Sequence, residues 1–288
     1  MFRLLVFPTF ILGVSGFLMS CSSMKDLGPD DYLNRARELL KEEQYQSAKL
    51  YIDSVRILFP KEFSKIKEGI SVMREVNFSE QKRTLAYCDS MLKIRQNELP
   101  GATQNFIFQK DAEYETIGHY VPKSLLAENN YGRTFLQSKV DEKGRLILTS
   151  YYCGAKRLNH TKIRVSSRDG LYAESSDVPR DGAMNYSFSD GGLQYEIVCF
   201  NSKTENGIVD FILTHLDNPV AIELNGNKSR TYVLTSQEKQ ALKASDNLSC
   251  ILTDINRLLD EIRLSQAKME YILRRQRGDS TFHLKPAD

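Results

Sequence analysis

Side chains that could bind a metal or act as nucleophiles are scattered along the 288-residue chain. The histidines are isolated, with no H-x-x-x-H pair, and we expect each to be exposed or partly buried: His119, His160, His215 and His283. The sequence contains no C-x-x-C, G-x-S-x-G, H-E-x-x-H or G-x-G-x-x-G motif. Metal sites require clustered ligands, and covalent catalysis requires a nucleophile beside a base. We therefore predict a protein with no metal, no cofactor and no enzymatic activity.

A secretory signal pattern occupies residues 1–20. Arg3 supplies a positive charge, an apolar run follows it, and small or polar residues surround the cysteine at its end. The run is too short and wrongly flanked for a membrane span. Its last residues, Leu18-Met19-Ser20-Cys21, resemble the lipobox of bacterial envelope lipoproteins. The resemblance implies acylation of Cys21, for example with palmitate. It also implies a lipid anchor in a Gram-negative cell envelope, at the periplasmic face or the cell surface of the outer membrane.

Among the later cysteines, Cys153 and Cys199 are the best candidates for a disulfide. Both lie in strand-like runs, and an envelope location permits oxidation. The alternative is that both thiols are free and buried, because cysteine packs as a small hydrophobic residue.

The region from residue 30 to residue 99, which follows a polar tether of residues 21–29, has a helical pattern with apolar residues three and four apart. Small residues, a tyrosine and a proline match the offsets of a tetratricopeptide repeat at Ala36, Tyr45, Ala48, Ile52 and Pro60. Residues 29–62 resemble one such repeat. Residues 63–98 resemble a degenerate second copy, since Tyr51-Ile52-Asp53-Ser54-Val55 recurs as Tyr87-Cys88-Asp89-Ser90-Met91. The resemblance implies helices that need an apolar cover from elsewhere in the chain.

The middle region, residues 104–234, changes to short strand-like runs separated by glycine, asparagine and aspartate turns. This pattern predicts an antiparallel sandwich or open barrel without intervening helices. The predicted strands are 106–108, 134–140, 145–153, 160–165, 171–174, 185–188, 193–200, 208–213, 220–224 and 231–234, and residues 122–132 are predicted to be a polar loop.

Residues 235–277 are predicted to form one long helix. Thr235-Ser236-Gln237-Glu238 is a capping-box pattern, and no glycine or proline follows before residue 278. Its heptad seam could pack on the helices of residues 31–98, or pair with a second copy in a coiled-coil homodimer. Residues 278–288 are predicted to be a flexible tail. Within it, Asp279-Ser280-Thr281 resembles an O-glycosylation sequon of some Gram-negative anaerobes, which implies Ser280 as the acceptor.

The predicted fold class is therefore α+β, with a tetratricopeptide-like start, an antiparallel β domain and a long last helix. A net charge of +2 gives no indication of nucleic-acid binding. We expect a non-enzymatic, lipid-anchored protein that scaffolds or binds another protein at the membrane. The alternative is a ligand- or glycan-binding lipoprotein with a pocket on the β domain. Six tyrosines there could stack on sugars: Tyr131, Tyr151, Tyr152, Tyr172, Tyr186 and Tyr195.

Overall fold

The computed structural model describes residues 27–282 apart from residues 112 and 114, with side chains as far as residue 278. Cys21 lies outside this range. The described part is mixed helix and sheet, with five α-helices, antiparallel sheets and a long C-terminal helix. The predicted α+β class is confirmed at this level. By its contacts the chain divides into two compact units, residues 1–80 and 81–288.

Unit 1 is helical. Helix α1 spans Pro29–Lys41, helix α2 spans Tyr45–Leu58, and helix α3, Phe63–Thr103, begins in this unit. Proline at the first position of α1 suits a helix start, and the Asp31 carboxylate accepts the Gly28 N–H at 2.9 Å. Small and branched side chains from all three helices form the core: Ala36, Leu39, Ala48, Ile52, Val72 and Val76.

Helix α3 corrects the predicted second repeat. Residues 63–98 contain no helix–turn–helix, because α3 runs unbroken for 41 residues and ends at Thr103 rather than at Leu99. Pro100 lies in its last turn, where it has no N–H to donate to the carbonyl four residues earlier. The Thr103 hydroxyl donates to the Leu99 carbonyl at 2.9 Å and so satisfies one terminal acceptor.

Unit 2 contains two antiparallel sheets. The six-stranded sheet has the order β1-β2-β3-β4-β8-β7, and the four-stranded sheet has the order β10-β9-β5-β6. The strands are β1 Phe106–Gln109, β2 His119–Pro122, β3 Phe135–Asp141, β4 Leu146–Gly154, β5 Lys162–Ser166, β6 Tyr172–Glu174, β7 Asn185–Asp190, β8 Leu193–Phe200, β9 Ala221–Asn225 and β10 Ser229–Val233. The main core combines both sheets, with Leu148, Val198 and Phe200 from one and Ile163, Ile222 and Leu224 from the other.

The structure differs from the prediction for this region in three places. Residues 208–213 form helix α4, Ile208–Thr214, instead of a strand. Its buried residues Ile208 and Ile212 are four apart, and Gly207 enters the helix with a φ of 82°. Strand β2 was not predicted. It has only four residues, and the last of them is a proline, which is uncommon within strands. The loop of residues 122–132 contains two 3₁₀ turns and buries Leu125 against the sheet.

Helix α5, Ser236–Phe282, is the predicted long helix. It continues through residues 278–282, so the predicted tail begins at least five residues too early. The capping box is confirmed, since the Glu238 carboxylate accepts the Thr235 N–H at 2.7 Å and the Thr235 hydroxyl accepts the Glu238 N–H at 3.2 Å. Ser280 lies in the last turns of the helix backbone, and its side chain lies outside the described part.

Helix α5 packs within unit 2 against β3 and the end of α3. Leu248 of the heptad seam and Leu252 beside the seam lie in one cluster with Phe106 and Val140. The Arg95 guanidinium of α3 contacts the Asp254 carboxylate at 2.9 Å. This part of the seam is therefore covered by the chain's own residues. Packing of α5 on α1 and α2, and pairing of its later turns with a second copy, stay predictions.

Candidate functional site

The two cysteines predicted to form a disulfide are free in the structure. Strands β4 and β8 are neighbours, but their register places Cys153 opposite Tyr195 and Cys199 opposite Thr149. The two cysteines are thus offset by four residues along the ladder, or about 13 Å at the usual strand rise. A disulfide requires Cα atoms within about 7 Å. The predicted bridge is wrong for this register.

A buried polar network links Ser150 on β4, His160 and Glu196 on β8. Ser150 Oγ lies 2.8 Å from His160 Nε2, and His160 Nδ1 lies 2.7 Å from Glu196 Oε2. A carboxylate only accepts, so Nδ1 carries the proton, and in the neutral ring Nε2 accepts from the Ser150 hydroxyl. The order of groups is that of a serine-hydrolase triad.

The carboxylate of this network also binds the backbone of residues 155–161, which connect the two sheets. Glu196 Oε1 accepts the N–H groups of Leu158 at 2.7 Å and Asn159 at 2.8 Å. Its other oxygen accepts the His160 N–H at 3.0 Å. Burial alone raises the pKa of Glu196, but the hydrogen bonds from the His160 ring and these N–H groups outweigh it and lower the pKa to about 2.

The network is enclosed. Ser150, His160 and Glu196 are 0 %, 1 % and 2 % exposed, so no substrate reaches the hydroxyl in this conformation. The network therefore has a structural role: it holds in place the segment of residues 155–161, which connects the two sheets. Sequence reasoning expected an exposed or partly buried histidine and missed the network, because ten and 36 residues separate its members. The one available signal was Glu196 within the mainly apolar run of β8.

Unit 1 contains an apolar groove between α2 and α3. Its volume is about 270 Å³, and it is lined by Ile52, Asp53, Arg56, Ile66, Gly69, Ile70, Met73 and Arg74. Gly69 removes a side chain from the floor, where a Cβ atom would lie 3.4 Å from Ile52 Cγ2. Ile70 is about half exposed. The groove thus presents apolar atoms to solvent between charged side chains.

An aromatic stack lies on the outer face of the six-stranded sheet. The ring of Tyr195 lies between those of Tyr131 and Phe188, with centroid distances of 5.1 and 4.9 Å. Tyr195 is buried, whereas both outer rings are exposed. The Tyr131 hydroxyl donates to the Asp190 carboxylate, and this hydrogen bond raises the pKa of Tyr131. The stack therefore places two exposed aromatic side chains beside a carboxylate.

The remaining predicted tyrosines divide between different surfaces. The strand register places Tyr151 and Tyr186 on the same sheet face as the stack. Burial raises the pKa of Tyr151 to about 12. Tyr152 points to the other face, where its hydroxyl donates to the Lys156 carbonyl, and Tyr172 lies on the four-stranded sheet beneath the Arg164 guanidinium. Phe188, which completes the stack, was not predicted.

The described residues contain no group of three or more His, Cys, Asp or Glu side chains arranged to hold a metal ion. None of the helices described is both long and apolar enough to cross a membrane. In comparisons with known proteins, no family model, no curated protein and no solved structure matches this chain.

Proposed function

We propose that this protein is a non-enzymatic lipoprotein, anchored in a Gram-negative cell envelope by acyl chains on Cys21, which binds another protein through the groove between α2 and α3. The groove is the observation that supports binding. The lipobox residues support the anchor. The enclosure of Ser150 supports a role without catalysis, since the hydroxyl has no access to substrate.

We further infer that α1 and α2 form a tetratricopeptide-like pair and that the two sheets form a sandwich-like body. Ala36 and Ala48, which carry the resemblance, are fully buried between the helices, and Ile52 packs beside them. In place of a second repeat, α3 covers the pair from one side. The shared core of the two sheets supports the sandwich-like arrangement.

The apolar lining of the groove between two helices suits a peptide helix as its ligand. The volume of the groove is about 270 Å³. One or two apolar side chains of a bound helix would fill it, as in other helix-in-groove complexes. The charged side chains at its edges, Asp53 and Arg56, would then set the orientation of the partner.

Site-specific photo-crosslinking in native membranes tests this proposal. A photoreactive residue at Ile70 should crosslink to a defined partner, whereas the same group at Leu50 of α2, which is exposed outside the groove, should not. The captured segment, synthesised as a peptide, should bind the purified protein, and Ile70→Glu should weaken that binding while Leu50→Glu leaves it unchanged. Equal crosslinking at both positions would refute binding in the groove.

The aromatic stack supports a second candidate, the binding of a glycan. Exposed ring faces beside a carboxylate can stack on a sugar and accept its hydroxyl hydrogens. A glycan screen followed by calorimetric titration tests it. Binding should be lost in Tyr131→Ala and Phe188→Ala and kept in Tyr172→Ala, which removes an exposed tyrosine from the other sheet. Binding that survives both stack variants would exclude this surface.

A further inference from the structure

One end of unit 1 contains both the start of α1 and the turn between α2 and α3. The Lys65 ammonium, in the first turn of α3, contacts the Asp30 carboxylate in the first turn of α1. The rings of Tyr32 and Phe59 pack edge to face with centroids 5.9 Å apart. These contacts join the first turn of α1 to the end of α2. We refer to this end of unit 1 as the α2–α3 end.

The α2–α3 end exposes large apolar side chains that have no structural role in the core. Four of them, each more than half exposed, are Leu27, Ile57, Leu58 and Phe63. Phe63 is the most exposed, at 78 %. Single exposed apolar residues are common on soluble proteins, but a cluster at one end indicates a contact surface.

The proposed lipid anchor restricts where this end can lie. Six peptide units separate Cys21 from Leu27, the first described residue. Even a fully extended chain of that length spans only about 20 Å. If Cys21 is acylated, the start of α1 therefore stays within about 20 Å of the lipid that holds it. The nearest large surface available to Ile57, Leu58 and Phe63 is then the bilayer itself.

We propose that the α2–α3 end is a membrane-contact surface, in which Ile57, Leu58 and Phe63 insert into the interfacial region of the bilayer that holds the Cys21 lipid. This inference rests on the proposed lipid anchor. Interfacial segments of peripheral proteins bury their apolar residues about 5–10 Å into the boundary between headgroups and acyl chains. The contact would hold the groove between α2 and α3 at a fixed height above the membrane.

The contact should be apolar and not electrostatic. Basic and acidic residues balance at this end, with Arg56, Lys61, Lys65 and Lys67 against Asp30, Asp31, Glu62 and Glu68. Attraction to anionic headgroups requires a surplus of positive charge. Raising the ionic strength from about 0.1 M to about 1 M shortens the Debye length from about 10 Å to about 3 Å and should leave the contact unchanged.

Tryptophan fluorescence tests the proposal directly, because the chain contains no tryptophan. The full-length acylated protein is purified from membranes as Phe63→Trp or as the control Leu50→Trp, an exposed position of α2 about 12 Å above Leu58 along the helix. Each is reconstituted in phosphatidylethanolamine and phosphatidylglycerol vesicles with brominated acyl chains. Phe63→Trp should be quenched roughly threefold more than Leu50→Trp, since only residues at the interfacial depth contact the bromines.

The outcomes separate the two proposals. An acylated protein in which neither tryptophan is quenched, or both are quenched equally, overturns the membrane-contact surface and leaves the anchor intact. An intact mass without acyl chains on Cys21 overturns the anchor and the surface together. Quenching of Phe63→Trp that disappears at high salt overturns the apolar character of the contact. Quenching confined to Phe63→Trp and insensitive to salt supports the proposal.

Discussion

Replacing Glu196 with glutamine should destabilise unit 2 by about 3 kcal/mol at neutral pH. The carboxylate accepts three backbone N–H groups and the His160 ring, and burial excludes water that could replace these donors. An amide of the same size has one oxygen, so its NH₂ group must face two donors. Losing two buried hydrogen bonds to a charged group costs about 1.5–3 kcal/mol each.

The pKa of Glu196 gives a similar magnitude. A carboxylate whose pKa falls from 4.5 to about 2 on folding contributes roughly 3 kcal/mol of stability at pH 7. Because the folded pKa is the lower one, this contribution is complete above pH 4.5 and is lost as the pH falls towards 2. The stability difference between wild type and Glu196→Gln should therefore shrink to about 1 kcal/mol at pH 3.

Urea unfolding at several pH values measures this difference, and hydrogen exchange gives a local measurement. The amides of Leu158, Asn159 and His160 donate to the carboxylate and should exchange faster in the variant. Glu174→Gln is the matched control, because that carboxylate is half-buried and lies 3.5 Å from Lys162; it should cost under about 0.5 kcal/mol. A loss below about 1 kcal/mol for Glu196→Gln, constant from pH 7 to pH 3, would refute the reasoning.

Three further predictions follow from the anchor, the sheet crossing and the thiols. Cys21→Ala should move the protein from the membrane to the soluble fraction with an unchanged circular dichroism spectrum, and a variant that stays membrane-bound contradicts the anchor. Gly226→Ala should cost about 1–3 kcal/mol, because its Cβ would lie 2.4 Å from a backbone oxygen. Gly101→Ala, in open space within α3, should stabilise by about 0.5–1 kcal/mol. A raised melting temperature for Gly226→Ala would contradict the first expectation, and a lowered one for Gly101→Ala the second. Without reductant, all four cysteines after Cys21 should react with a thiol reagent in the unfolded protein, and a disulfide-linked pair of peptides that contain Cys153 and Cys199 would contradict the register of β4 and β8.

The sequence predicts a helix or strand correctly when the residues of that element, and those next to it, are enough to specify it. Strand β8 was predicted with its observed bounds, Leu193–Phe200, because aromatic and branched residues dominate it and a glycine turn precedes it. The capping box predicted the start of α5 for the same reason. Helix α4 was mistaken for a strand because it is short and rich in branched residues, and its fold depends on packing of Ile208 and Ile212 in the shared core. Helix α3 continues where the repeat resemblance predicted a turn.

The candidate sites differ in the same way. The Cys21 motif is contiguous, so the sequence alone indicates it. The aromatic stack was predicted in part, through Tyr131 and Tyr195, but Phe188 joins it only because β7 pairs with β8 in a particular register. The groove depends on the approach of two helices at Gly69, which no spacing in the sequence specifies.

Geometry that matches a catalytic triad does not make the Ser150 network an active site. Catalysis by a serine requires space for a carbonyl group at the hydroxyl and donors for the developing oxyanion. Ser150 is instead flanked in register by Leu136 and Val198 and is completely buried. The carboxylate, which in a hydrolase orients only the histidine, here also holds three backbone N–H groups of the sheet crossing. Glu196→Gln should therefore weaken folding of unit 2, as expected of a residue with a structural role.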